Sequence, residues 1–507
     1  MPARVSTLPE LSVTAGGQPL PTEALRELEK MRVSQRLSSP AQCELTFSAG
    51  AQSELVAGRL APGVELTVGV SASTATLFFG QVTAVEYLYG AANTQTVRVR
   101  AYDKLHRLRK RQKARSFERM TAAAVAQELC ADIGLSVDAP SPGPEYPWLI
   151  QGRQTDWQFL LQLAERGGLY LSAREDTLHL LTLEGSGDPI ALSLGNTLFE
   201  VHFELNGDAA CRSVAAQGWH PARVEVHKGQ ASAARSGRSV SAEVAPGRVG
   251  ADSQRGLFDE IAAGDDHAGA LAQADLDRRA ALEVVLWGAA DGDPRLCPGA
   301  LVDISGVAPS VAGRYVLAEA IHTIDRRMGY TTEISSALPA PAARSGATIA
   351  TPGVVSQIDD PENLGRVRVT LPTYDDVETD WMGVLTPGAG SGKGVIALPD
   401  TGDHVLVLLA HEDPAQGIVL GGLYGVVEPP DTGLDAGARR RFTFVTPAGQ
   451  IVRLDDAAGT LRLQNQSGSY LDLTPDSVRL HATVDLAIEA PGKQIAISAA
   501  AINFNTA

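Results

Sequence analysis

The chain has 507 residues, enough for about three domains, with hydrophobic content of 44% and charged content of 20%, the proportions of a protein that buries a core. A net charge of −16 and a pI near 5.1 argue against wrapping nucleic acid or lying on an anionic membrane, and they help keep a large assembly soluble. Fifty glycines beside only 5% aromatic residues lean toward turn-rich β-structure.

The amino terminus, MPARVSTLPELSV, lacks the apolar segment of a secretory signal, and the longest apolar run, Val405 to Ala410, is far below a membrane span. The expectation is synthesis in the cytoplasm without a signal peptide. Residues 1 to about 115 read mainly as strands: Leu11-Ser12-Val13 before a Gly16-Gly17 turn, then Val64–Val68, Thr76–Tyr89 and Thr96–Tyr102. A short helix is expected over Thr22–Met31, with Leu25, Leu28 and Met31 on one side. The dense basic run Lys104–Arg119 holds one Phe in an acidic chain, so it reads as a solvated or subunit-facing strip rather than a nucleic-acid patch.

Two helices carry clear end signals. Thr121 caps the first and Gly134 stops it, with Val125, Leu129 and Cys130 inward. Thr155 and Gln158 form a capping box on the second, whose stripe is Trp157, Leu160, Leu161 and Ala164, and Gly167-Gly168 ends it. Strands follow at Leu169–Leu171 and Thr177–Leu181, a third helix at about Ala268–Glu283, and further strands from Gly299 to Ile334. Cys43, Cys130, Cys211 and Cys297 lie far apart without CxxC spacing and read as small buried hydrophobes. The Pro/Ala/Ser-rich stretch Leu338–Pro352 has the composition of a hinge between domains, and Val427–Gly437 is a second linker.

Between the linkers, residues 352–425 read as a compact barrel of short strands. Val367, Val369 and Leu371 alternate with Arg366, Arg368 and Thr370, the period of a half-buried strand. Gly394–Leu398, His404–Leu409 and Ile418–Leu420 are further apolar runs, separated by Pro399–Gly402 and Asp413–Gly417 turn chemistry. About five strands in under eighty residues imply a closed barrel of the OB type.

After residue 440 apolar residues come in i, i+2 pairs: Val452/Leu454, Leu461/Leu463, Leu471/Leu473, Val478/Leu480, Leu486/Ile488, Ile495/Ile497 and Ile502/Phe504. Turn signals separate them, so the tail reads as a repeat-like β element. Each short strand has one greasy face and no second sheet or helix to meet it. About fourteen such side chains at ~2 kcal/mol each represent roughly 28 kcal/mol of gross burial that a lone chain does not realise. Copies of the same chain realise it together, and an intertwined oligomer also covers the strand edges. A single-chain solenoid is the alternative, although its repeats are normally longer and more regular.

Residues capable of chemistry do not assemble into a constellation. Asp359/Asp360, Asp375/Asp376 and Asp455/Asp456 are adjacent in sequence and read as solvated turn carboxylates. His404 and His411, seven apart on one continuous strand, face opposite sides and give no zinc site. Gly388–Lys393 lacks the phosphate-loop pattern, because Gly394 follows Lys393, and reads as a hairpin. Neither cofactor nor metal is expected. Oligonucleotide or glycan binding by the barrel is a weaker alternative, since Tyr374, Trp381 and Tyr424 are its main aromatics.

The segments DPENLGRVRVTLP (Asp360–Pro372), DWMGVLTPGAGSGKGVIALPDTGDHVLV (Asp380–Val407) and GIVLGGLYG (Gly417–Gly425) resemble the OB segment of VgrG-like spike and hub proteins of contractile injection systems, relatives of the phage baseplate hub and central spike. Ala101–Phe117, Gln154–Leu171 and Gly313–Ile334 are similar to hub segments of that family. The resemblance implies a mainly β fold with some α: a hub of β-barrel-like subdomains at 1–338, an OB-fold collar at 352–426, and an intertwined trimeric β-helix at 440–507. It implies a homotrimer that joins the inner tube and baseplate proteins to a membrane-puncturing needle. The trimer core would be Val452, Leu454, Leu461, Leu463, Leu471, Leu473, Val478, Leu480, Leu486, Ile488, Ile495 and Ile497, and the terminal Ile502, Asn503 and Phe504 would seat a PAAR-type tip protein. Effector cargo travels with such tips, and the target membrane is met only transiently. Against that family, only the short linker lies where an enzymatic insertion would separate barrel from tail, no appended effector is expected after Ala507, and His481 stands alone rather than in the His-x-His pattern of iron-bearing tips. The expected role is therefore non-enzymatic, in a particle that is type VI or, given the chain's length, extracellular and phage-tail-like. The runner-up is a spike with peptidoglycan hydrolase activity.

Overall fold

The computed structural model describes residues 11–48, 58–70, 76–91, 95–342, 347–425 and 427–504. The chain forms two compact units, Met1–Gly422 and Leu423–Ala507. The signal-peptide reading of the amino terminus rests largely on residues 1–10, which lie outside the described ones.

The first unit is organised on an antiparallel sheet of eleven strands. Starting at one edge, its order is Leu198–Leu205, Val284–Asp291, Gly329–Ser335, Glu319–Asp325, Leu28–Arg36, Ser39–Ser48, Gln95–Tyr102, Thr76–Tyr89, Glu65–Val70, Leu11–Ala15 and Gln18–Pro19. Alternation explains the strands: Cys43, Leu45 and Phe47 on one, and Val97, Val99 and Ala101 on another, point into a shared core while their neighbours face out. Glu319–Asp325 pairs with Leu28–Arg36, which ties the two ends of the hub together.

The expected helix over Thr22–Met31 is shorter than its apolar spacing indicated. It covers Thr22–Glu27, and Leu28 is already extended and begins a strand in which Met31 and Val33 are buried. Two flanking strands for Leu28–Arg36 to pair with outweigh the local helical period.

A helical layer carries Ala122–Ala131 and Asp156–Arg166. Thr121 accepts from the Ala124 amide, and Thr155 with Gln158 makes both bonds of the capping box. The basic run lies beside these helices. Leu105, His106 and Leu108 are buried, while four of the eight cations are paired with carboxylates: Lys104 with Asp176, Arg111 with Asp132 and Asp156, Arg115 with Asp156, and Arg119 with Glu145. A third layer is the sheet Glu225–Ala231, Ser213–His220 and Gln254–Ile261, backed by the helix Asp265–Glu283. All four cysteines are free, and three are buried.

The barrel is a six-stranded sheet in the order Val377–Glu378, Arg368–Leu371, Ile349–Gln357, His404–Leu409, Gly417–Gly422 and Gly383–Val384. Reciprocal bonds between Val367 and Met382 bring its two ends together around Val355, Val369, Leu371, Val405, Val407, Leu409 and Val419. Gly394–Leu398, expected as a strand, has no regular secondary structure, and Ile396 is 89% exposed. The tight Gly390–Lys393 hairpin precedes it, and the sheet is complete without it. Asp360 is also a correction. It is buried rather than solvated, held by Arg366 and by the amides of Glu362 and Leu364. The strand bearing His404 ends at Leu409, and His411 sits in a short turn with a left-handed φ of 53°, so the two histidines do not share one strand.

Candidate assembly surface

The second unit places most of the predicted core residues on one surface. Arg441–Val445, Ile451–Asp455, Thr460–Gln464, Tyr470–Leu473 and Val478–His481 form a five-stranded antiparallel meander. Its register aligns the apolar pairs into two rows across all five strands. One row runs Phe444, Val452, Leu463, Leu471, Leu480; the other runs Phe442, Leu454, Leu461, Leu473, Val478. Because side chains alternate faces, all ten project to the same side.

Within the second unit that side is uncovered among the described residues. Phe444 is 67% exposed, Val478 70% and Leu480 60%. Every buried apolar side chain among the described residues lies at or before Val419, so the second unit has no core of its own. A contiguous apolar face of this extent marks an interaction surface.

The opposite face is mainly polar, apart from Val445 and Ile451 at one end, and its central charges are matched within the unit. Arg462 makes a bidentate pair with Asp472 at 2.7 and 2.6 Å, and its guanidinium lies 4.7 Å from the Tyr470 ring, which stacks on His481. The Arg462 guanidinium holds the Asp472 carboxyl below the usual carboxylate range. Arg441 does the same for Asp431, which also accepts from the Gly433 amide. One face is thus satisfied within the chain and the other is not.

Phe442 and Phe444 were not among the expected core residues, although they carry the same i, i+2 signal one strand earlier. The predicted pairs Leu486/Ile488, Ile495/Ile497 and Ile502/Phe504 form no strands. From 484 to 504 the backbone has no sheet partner, and Leu486, Ile488, Ile495 and Ile497 are all about half or more exposed. Asn503 is exposed and Phe504 is 90% exposed. A strand needs a neighbour, and this part of the chain meets none.

Among the described residues, no cluster of three or more His, Cys, Asp or Glu side chains is arranged to hold a metal ion. Among the described residues no helix is long and apolar enough to cross a membrane.

A family model described as the Alg8 N-terminal domain matches residues 7–326, well over half of the chain. The chain belongs to that family. A second model, the type VI secretion system/phage-baseplate injector OB domain, matches residues 351–424 and covers the barrel. Similar solved structures include the E. coli c3393 protein, a type VI secretion component with similarity to the T4 tail proteins gp27 and gp5 (14% identity, 78% of this chain and 97% of that one, TM-score 0.52). The prophage MuSo2 43 kDa tail protein from Shewanella oneidensis is 15% identical, over 65% of this chain and 98% of that one, with a TM-score of 0.51. The half-lidded Francisella PdpA-VgrG complex gives 9% identity, 94% and 89% coverage and a TM-score of 0.55. No curated protein matches. At these identities the shared property is the fold: this member of the Alg8 N-terminal domain family has the β-rich architecture of VgrG-like and phage-tail hub proteins, with an OB domain attached.

Proposed function

We propose that the protein is a non-enzymatic structural spike and hub of a contractile injection machine. The observation that carries this reading is the ten-residue apolar face of the tail meander, exposed in a chain whose hub and barrel sheets pack around buried cores. Three copies bring three such faces together around one axis, giving a prism with a dry interior and a charged exterior. Beyond residue 482 the unpaired backbone finds neighbours in the other two copies and continues as an intertwined β-helix. Ile502, Asn503 and Phe504 then lie at the narrow end, where a PAAR-type tip protein seats. The hub meets the inner tube and baseplate proteins, effector cargo travels with the tip, and the needle crosses the target membrane only during firing. The protein is made in the cytoplasm and leaves as part of a particle.

Light scattering on the full chain tests the assembly: a mass of three copies is expected, and a soluble, ordered single copy overturns it. Negative-stain images of the same sample are expected to show a ring with a thin axial projection. A zymogram separates this reading from the alternative of a peptidoglycan-hydrolysing spike. The expected gel has no cleared band, and clearing that purifies with the protein favours the alternative.

A further inference from the structure

The stretch between hub and barrel has the composition of a hinge, yet it is tied down. The Pro339 carbonyl accepts from Arg278 at 2.5 Å, the Ala342 amide donates to Glu165 at 3.0 Å, and the barrel's strand already begins at Ile349. Residues 343–346 of this linker lie outside the described ones. The barrel itself sits directly on the hub. We infer that hub and barrel are locked as one rigid body by a joint that is segregated by charge and clamped by two tryptophans.

Three features build the joint. The first is its ion pairs, in which the hub supplies the cation and the barrel the carboxylate: Arg153 with Glu412 at 3.1 Å, Arg166 with Asp413 at 3.9 Å, and Arg223 with Glu362. Complementary signs of this kind fix register and orientation more than they add strength. The second is Arg368 of the barrel. Its guanidinium lies 5.0 Å from the ring of Trp148, which is in the hub, and 5.2 Å from the ring of Trp381, which is in the barrel. Glu378 at 3.6 Å and Asp380 at 3.7 Å hold it in place between them. A cation between two aromatic faces is a directional contact that resists sliding. The third is Gly152. A Cβ there would stand 2.8 Å from the Tyr374 ring and 3.2 Å from Pro414, both in the barrel. The hub backbone approaches the barrel so closely that only a glycine fits.

The joint does not depend on the spike reading, because a subunit can lose it and still assemble through its tail. Gly152→Val is the wedge: the added atoms collide first with the barrel residues Tyr374 and Pro414. Hydrogen exchange on the full chain reports the result. In the wild type, amides of the barrel strand His404–Leu409 and the hub strand Ser39–Ser48 are expected to exchange within about threefold of each other, as one cooperative unit. In the variant the barrel amides are expected to exchange about tenfold faster while the hub amides keep their rate. The Glu412→Arg variant is expected to speed barrel exchange by about threefold, and adding Arg153→Glu to reverse it, as for a pair worth under 1 kcal/mol. If Gly152→Val also loosens the hub, this exchange of charges decides. A wild-type barrel that already opens separately from the hub, or variants that leave barrel exchange unchanged, would overturn the inference.

Discussion

His322 is fully buried in the hub sheet, with its Nδ1 3.0 Å from both the Thr332 hydroxyl and the Tyr330 hydroxyl. Burial pushes its pKa down from 6.5 to about 4, while the Leu296 carbonyl and the Asp293 carboxylate pull the other way. The neutral ring is therefore the folded form. As pH falls below 6.5 the unfolded chain takes up a proton that the folded one refuses, so stability is complete above that pH and declines until about 4. The loss between pH 7 and pH 5 is roughly 2 kcal/mol. Thermal unfolding is expected to show a smaller pH 7 to pH 5 decrease in melting temperature for His322→Gln than for the wild type, and equal decreases would reject the assignment. Asp360 and Arg366 present the opposite chemistry in the barrel. Both are 5% exposed and joined by bonds of 3.0 and 2.6 Å, and Arg366 holds the Asp360 carboxyl far below its ordinary range. Removing one partner leaves the other charge buried alone, so Asp360→Asn is expected to cost about 3 kcal/mol, read from denaturant unfolding followed at the barrel.

The tail meander separates folding from assembly at the level of one element. Its polar face is matched within the chain through Arg462 and Asp472, so loss of that pair is a small surface effect. Its apolar face has no partner within the second unit among the described residues, and Leu471→Asp with Leu473→Asp places two charges in the centre of the proposed interface. That double variant is expected to sediment as single copies, whereas Arg462→Gln stays assembled; a double variant that keeps the wild-type mass removes the meander as the clamp. The four pairs from Val452/Leu454 to Val478/Leu480 were legible because period two and turn residues are local signals, and each lies on a strand. The capping box at Thr155 and Gln158 was legible for the same reason. Thr22–Met31 misled because a helical spacing of Leu25, Leu28 and Met31 also fits a helix that gives way to a strand, and distant strands decide between them. Asp360 misled because its partner is set by a turn that no pattern announces. Gly394–Leu398 and the three pairs beyond residue 484 have strand-like sequences without strands, since pairing requires neighbours that the single chain does not supply.

Across the whole molecule apolar burial is distributed unevenly. Six buried clusters lie within the first unit and end at Val419, while the second unit exposes nearly every large apolar side chain it has. Folding of the first unit therefore draws on its own cores, whereas in the proposed assembly order in the second draws on other copies. These two sources respond differently to concentration, because association contributes stability in proportion to the logarithm of protomer concentration and an intramolecular core does not. Dilution of the full chain is expected to lower the melting temperature of tail structure while leaving the hub transition in place. A chain stopped at Gly422 takes the argument to its limit. It keeps every buried apolar residue among the described ones, so it is expected to retain the hub's far-ultraviolet spectrum and melting temperature to within about 1 °C, a shift of the size that follows from about 1 kcal/mol in a protein of this length. It is also expected to lose the mass of the assembled form. A truncated chain that unfolds would mean that the first unit depends on the tail for its stability, and one that still assembles would mean that the hub rather than the tail holds the copies together.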